Sequence, residues 1–239
     1  MKDQGQCGSC WSFSAVETVE SYFALMSGGQ LPVLSEQFVL DCSQNPQHCG
    51  GTGGCNGATV SIAMKTMIQG GAPQEFTYPY ISYFGQNQSC QSNSNKATPF
   101  SHVTAHVHLP SNEQAPLLQH LSQIGPLSGV VDASGWGSYE SGVFSGCSVN
   151  ATIDHGIQII GYGHDSELNV DYWLIRNSWN PAWGENGFIR ILRQATPSCG
   201  MDHDPLDGSG CPGGPSSVRV CGECAVLYST SYPIMTQSH

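Results

Sequence analysis

An α+β fold is what this sequence predicts, with helix gathered near the N-terminus and strand toward the C-terminus. Apolar Val16, Val19, Phe23 and Met26 recur at helical spacing, so residues from about Ser9 to Met26 read as one helix. Further on, Ile153-Asp154-His155-Gly156-Ile157-Gln158-Ile159-Ile160-Gly161 carries a polar turn into an apolar, strand-like run. Asp171-Tyr172-Trp173-Leu174-Ile175-Arg176-Asn177-Ser178-Trp179 supplies a second strand. A chain of 239 residues can bury one large core or two moderate lobes, and a charged fraction of 10% with 29 glycines suits a loop-rich fold.

The chemistry begins at Gln4-Gly5-Gln6-Cys7-Gly8-Ser9-Cys10-Trp11-Ser12-Phe13. Cys10 falls in the first turn of the predicted helix, where unpaired N–H groups and the positive end of the helix dipole favour thiolate. A thiolate needs a partner to hold the proton. His155 stands where turn becomes strand, and Asn177 offers an amide at the end of the second strand. Cys, His and Asn in that order make a nucleophile, a base and a group that orients the base. Any one alone is ordinarily a core or satisfied polar residue; the set together reverses that balance.

The net charge of −11 and the absence of a basic cluster exclude nucleic acid as a partner and fit an acidic compartment. No apolar run of about 18 residues is present to span a membrane. Eleven cysteines imply an oxidising compartment or bound metal, and without Cys10 ten remain, enough for five bridges.

The three blocks around Cys10, His155 and Asn177 resemble the papain-type cysteine proteases, most of all the cathepsin L-like endopeptidases. The resemblance runs on through Leu34-Ser35-Glu36-Gln37, Gly54-Cys55-Asn56-Gly57, Tyr78-Pro79-Tyr80, Gly125-Pro126, Trp183-Gly184-Glu185-Asn186-Gly187 and Ser231-Tyr232-Pro233. It implies a two-lobe papain-like fold: a helical lobe over 1–98 carrying the nucleophile and a β-barrel-like lobe over 99–239 carrying His155 and Asn177. Further helices are expected from Ser35 and over Ala58 to Ile68. Strands are expected near Leu127–Asp132, Gly156–Tyr162, Tyr172–Asn177 and Phe188–Leu192, with the last residues crossing back.

By the same resemblance Cys10 is the nucleophile of a thiol-dependent endopeptidase and His155 its proton carrier. Asn177 fixes the imidazole, Trp179 shields that hydrogen bond, and Gln4 with the Cys10 N–H faces the developing oxyanion. Gly57 and Ala58 lie on the substrate-binding edge, where Ala58 departs from the usual Cys-Asn-Gly-Gly. The pocket for the residue two before the cut has walls at Thr59, Val60, Val130, Ile153 and Gly156 and Ser229 near its floor. With no acid there, it is expected to prefer an apolar side chain. No long His-bearing insertion between Tyr80 and Cys90 blocks the cleft, which favours endopeptidase over exopeptidase. The resemblance suggests bridges Cys7–Cys55, Cys42–Cys90 and Cys147 to a C-terminal cysteine. Register from Tyr232-Pro233 favours Cys224 for that position and register from Gly187 favours Cys199. The conflict marks residues of about 201–223 as an insertion, rich in Gly, Pro and Asp and read as a surface loop.

The insertion and Cys49 leave Cys49, Cys199, Cys211 and Cys221 unassigned. Extra bridges are the favoured reading; Cys221-x-x-Cys224 as zinc ligands or Asp202, Asp204 and Asp207 as calcium ligands is the alternative. Neither a cofactor nor a metal is expected. Partners would be protein or peptide substrates, the protein's own propeptide and cystatin-type inhibitors, with the chain a monomer. Family members carry a secretory signal, a propeptide and a mature stretch before the glutamine. A start at Met1-Lys2-Asp3-Gln4 therefore reads as a fragment, a truncated gene model or an atypical member that alone folds poorly. A lysosome-like vacuole or secretion is the expected location, compatible with sequons at Asn87 and Asn150. The alternative function is an inactive secreted scaffold that acts as a binding or signalling factor.

Overall fold

The computed structural model describes residues 1–91, 99–100 and 103–236. The expected lobe boundary falls at Thr98, outside the described residues. Three helices lead: α1 (Cys10–Met26), α2 (Glu36–Cys42) and α3 (Val60–Gly70). Ser35 caps α2, its hydroxyl accepting from the Phe38 N–H at 2.9 Å while donating to the Tyr78 carbonyl at 2.5 Å. The third helix stops at Gly71, whose φ of 68° lies in the left-handed region that glycine enters without strain.

Strand then dominates: β1 (Val103–His108), β2 (Leu127–Val131), β3 (Val143–Phe144), β4 (His155–Asp165), β5 (Val170–Arg176), β6 (Phe188–Leu192), β7 (Cys199–Asp202), β8 (Val218–Cys221) and β9 (Thr230–Met235). One more helix, α4 (Gln114–Gln123), precedes β2 and was not anticipated from the sequence. Seven strands form one sheet in the order β1-β9-β2-β4-β5-β6-β3, antiparallel except for β3 against β6. Strand β9 crosses back between β1 and β2. The insertion is not wholly loop: its ends pair as β7 and β8, with Cys199 opposite Cys221 and Asp202 opposite Val218. Among the described residues no helix is long and apolar enough to cross a membrane.

Helix α1 is buried on nearly all sides from Trp11 to Glu20, polar residues included. Its spacing suggested one apolar face, but the helix is a central strut whose polar side chains find backbone partners. Ser14 donates to the Ile157 carbonyl at 2.6 Å, Ser128 donates back to the Ser14 carbonyl at 3.0 Å, and Gln158 Nε2 donates to the Glu17 carbonyl at 3.1 Å. Each bond satisfies a buried group and ties α1 to β2 or β4. One core surrounds the helices with Trp11, Val16, Phe38 and Met64, and also takes in Val130 and Ile153. A second, with Leu127, Ile157, Trp173 and Ile189, backs the sheet.

The N-terminal segment is anchored from both sides. Lys2 Nζ reaches Glu20 at 2.6 Å and also Glu36, both carboxylates buried. Burial alone would lower the Lys2 pKa, but Glu36 and Glu20 outweigh it and hold the ammonium firmly protonated. Beyond it, the Gln4 N–H donates to the Ser178 carbonyl at 2.9 Å, and Asp3 bridges Trp179. This pairing sets Gln4 beside the Asn177 turn.

Candidate active site

Antiparallel pairing places Gln158 of β4 opposite Arg176 of β5. His155 at the head of β4 and Asn177 just past the tail of β5 therefore emerge at the same end of the sheet. Their side chains meet: His155 Nε2 lies 2.7 Å from Asn177 Oδ1. An amide oxygen only accepts, so Nε2 carries the hydrogen and Nδ1 is left for another partner. Asn177 Oδ1 also accepts from the Ser178 N–H at 2.8 Å, which fixes the amide's orientation.

Cys10 lines the same cavity as His155, and the His155 charge acts on its thiol. Cys10 is the first residue of α1, half-buried, and among the described residues the one cysteine outside a disulfide. Burial pushes its thiol up. The charge and hydrogen bond of His155, with the backbone N–H groups of Gly156 and Trp11, outweigh that and bring the pKa below the ordinary thiol value. The approach of helix to strand depends on Gly156, where a Cβ would sit 3.0 Å from the Cys10 carbonyl oxygen and 3.1 Å from the Trp11 nitrogen.

Gln4 is buried, with Nε2 donating to the Cys7 carbonyl at 2.8 Å and Oε1 accepting from Ser178 Oγ at 2.6 Å. One amide hydrogen is thus used to orient the group and the other is left over. The Trp179 ring lies 4.8 Å from the His155 ring. Two further tryptophans join it: Trp136 at 6.2 Å from His155, and Trp183 at 5.3 Å from Trp179. No role for either was read from the sequence; aromatic side chains 19 and 28 residues from a histidine carry no signal of adjacency.

A cavity of about 250 Å³ opens beside Cys10 and His155, lined by Gly57, Ala58, Val60, Val130 and Gly156. Thr59 and Ser229 line a second one, of about 400 Å³, which shares Val60 and Val130 with the first. Ile153 lines neither: it is fully buried, its N–H donating to Asp202 Oδ2 at 3.2 Å. Apart from Ile153, the residues expected to wall one pocket border two adjoining cavities. The second cavity, where Ser229 was expected at the floor, has no acid in its lining, whereas Asp154 and, from the insertion, Asp207 line the first. Motif register could not place Asp207, which lies in the insertion.

Five disulfides join Cys7 to Cys55, Cys42 to Cys90, Cys49 to Cys211, Cys147 to Cys224 and Cys199 to Cys221. Cys221 and Cys224 thus lie in separate bridges and offer no thiolate pair to zinc. Among the described residues one group is compact enough for an ion, Cys147, Glu223 and Cys224, and its sulfurs are bonded to each other. Asp202 is buried, its two oxygens accepting from the Asp204 and Ile153 N–H groups.

Residues 1–208 match the family model described as papain family cysteine protease. The chain belongs to the papain family of cysteine proteases. It is 40% identical over 207 residues to the oryzain beta chain of Oryza sativa subsp. japonica, which covers 84% of this chain and 42% of that protein. With cathepsin L of Sarcophaga peregrina it shares 37% over 205 residues, 84% of this chain and 57% of the relative. The chain thus spans about half the length of these papain-family relatives. Among solved structures, the bromelain protease of Ananas comosus in complex with the E64 inhibitor superposes with a TM-score of 0.76 at 30% identity, over 99% of this chain and 93% of that one. Digestive procathepsin L 3 of the Tenebrio molitor larval midgut gives 0.76 at 30%, over 98% and 66%. Both likenesses extend to the two-lobe α+β papain fold.

Proposed function

We propose that the protein is a thiol-dependent endopeptidase working through an acyl-enzyme on Cys10. The observation that carries this reading is the line of contacts from Cys10 to His155 to Asn177 at the mouth of a cavity. The Cys10 thiolate attacks a peptide carbonyl carbon, forming the C–S bond and moving the carbonyl electron pair onto oxygen. The spare Gln4 amide hydrogen and the Cys10 N–H stabilise that oxyanion. As it collapses the C–N bond breaks, and the leaving amine takes its proton from His155. Water then attacks the thioester, giving a proton back to His155, and the acid departs to leave the thiolate. Asn177 keeps the imidazole aimed, and Trp179 with Trp136 keeps water from their hydrogen bond.

In this reading residues 1–98 form the lobe with the nucleophile and 99–239 the lobe with His155 and Asn177. The extended substrate lies between them, its backbone against Gly57 and Ala58. An apolar side chain two before the cut is received by Val60 and Val130. The protein acts as a monomer in a lysosome-like vacuole or outside the cell, and its own propeptide and cystatin-type inhibitors hold it in check. The acidic charge balance and the five bridges support that location. The test is turnover of a fluorogenic peptide with leucine two before the cut, at acid pH. Expected is activity that needs reductant, is blocked by an epoxide thiol trap, and disappears in Cys10→Ala. Turnover that survives in Cys10→Ala, or folded protein with neither turnover nor labelling of Cys10, overturns the reading.

A further inference from the structure

The insertion reaches into the cleft and is held at both of its sides. Cys211 is bonded to Cys49, and the Gly50 N–H donates to the Gly210 carbonyl at 2.7 Å. Across the cleft, Asp202 holds the Ile153 N–H at 3.2 Å. Gly208 packs so closely there that a Cβ on it would stand 2.3 Å from the Ile153 carbonyl oxygen. The stretch from Asp202 to Cys211 is thus a strap between the Cys49 loop and the Ile153 turn. Gly208 lines both cavities, as Val60 and Val130 do, so the strap stands with the two valines at the boundary between them.

Asp207 lines only the cavity that also holds Cys10 and His155, and it is exposed. No lysine or arginine among the described residues lines that cavity. Its other acid, Asp154, is already engaged by the Ala133 N–H at 2.8 Å. Its carboxyl is pushed up to about 6, chiefly by burial, with Asp132 and Asp207 adding to the rise, so the Asp207 charge is felt inside the cavity.

Gly208, Val60 and Val130 border both cavities, so a side chain held between the valines lies against the strap, with Asp207 on the Cys10 side and Ser229 on the other. Large aromatic groups are stopped there. A long aliphatic stem lies along the two valines, and a cationic head on it ends at Asp207. We infer that the Asp202–Cys211 strap is a specificity element that makes this protein accept lysine or arginine, besides medium apolar residues, two before the scissile bond. This rests on the protease reading above. It also widens the apolar preference that the family resemblance implied.

The experiment compares kcat/KM on three peptides that differ only two before the cut, carrying arginine, leucine or tryptophan, with the Cys49–Cys211 bond checked by intact mass under the assay reductant. Expected is an arginine-to-leucine ratio within about tenfold of unity, falling about tenfold in Asp207→Asn and restored in Asp207→Glu. In Cys49→Ser/Cys211→Ser the released strap merges the cavities, and the tryptophan-to-leucine ratio rises at least about fivefold. An arginine-to-leucine ratio that Asp207→Asn does not move overturns the carboxylate's role. An unmoved tryptophan-to-leucine ratio in the double variant overturns the strap's role at the boundary. Loss of all three activities in the wild type, with no epoxide labelling of Cys10, overturns instead the protease reading, and the inference with it.

Discussion

The cleft has two walls built by different means. On one side the Cys10 end of α1 is clamped to β2 and β4 by buried serine and glutamine hydrogen bonds continuous with the core. On the other the Asp202–Cys211 strap is held chiefly by the Cys49–Cys211 disulfide, the backbone bond to Gly50 and Asp202. A wall that is part of the core cannot move without unpacking it; a wall fastened at a few points can change or be released alone. The first suits groups that must stay aligned for chemistry, the second a surface that selects what enters.

The largest effect is expected from damage to the polar parts of the core-built wall. In the proposed mechanism Gln4→Ala removes an oxyanion donor, and a drop in kcat of about 10²–10³ with little change in KM is expected. The same substitution strips Ser178 Oγ of its acceptor, so circular dichroism should first establish that the fold persists. A loss seen in KM alone would place Gln4 in substrate binding rather than at the reacting oxygen.

Gly156→Ala tests the wall by packing alone. The added methyl stands 3.0 Å from the Cys10 carbonyl oxygen, so α1 and β4 must part by a few tenths of an ångström. Since both contributors to the thiolate pair sit on those elements, kcat is expected to fall about tenfold or more, and the apparent thiol pKa, read by the pH dependence of alkylation, to rise. The rise is what sharpens the contrast with the strap: Asp207→Asn should shift peptide choice and leave the alkylation profile of Cys10 where it was. An unaltered profile in Gly156→Ala would mean that α1 and β4 separate freely, and the distinction between the walls would fail.

How much of this was legible in the sequence follows the same division. Helix α1, strands β4 and β5 and the set Cys10, His155 and Asn177 announce themselves by periodicity, by residue type and by family motifs in order, because local pattern and tertiary role coincide there. Helix α4 did not: Gln114-Ala115-Pro116-Leu117-Leu118-Gln119 has a short apolar stripe and only Leu117 and His120 buried. The burial of polar Ser14, Glu17 and Glu20 was invisible too, since their partners lie on strands more than 100 residues away or in the segment at Lys2. The strap's course was hidden for a third reason. Composition showed a Gly- and Pro-rich loop, but where such a loop goes is decided by which cysteine it pairs with, and ten cysteines leave many pairings open.

The smallest expected effect concerns what lies behind the core-built wall. Glu17, on α1, is buried with Arg176 3.2 Å away. Burial pushes its carboxyl up to about 7, against the pull of Arg176 and Lys2. A carboxyl whose folded pKa lies above its unfolded value of about 4.3 binds its proton more tightly when folded. Its contribution to stability is therefore complete below about pH 4.3 and is lost as pH rises through about 7. Asp154, raised to about 6, adds a slope of the same sign. The protein should accordingly lose thermal stability from about pH 5 to about pH 7, and Glu17→Gln, which cannot titrate, should flatten that slope. Identical slopes in the two proteins would show that Glu17 reaches water in solution, and α1 would then be less completely enclosed than the packing of its polar face requires.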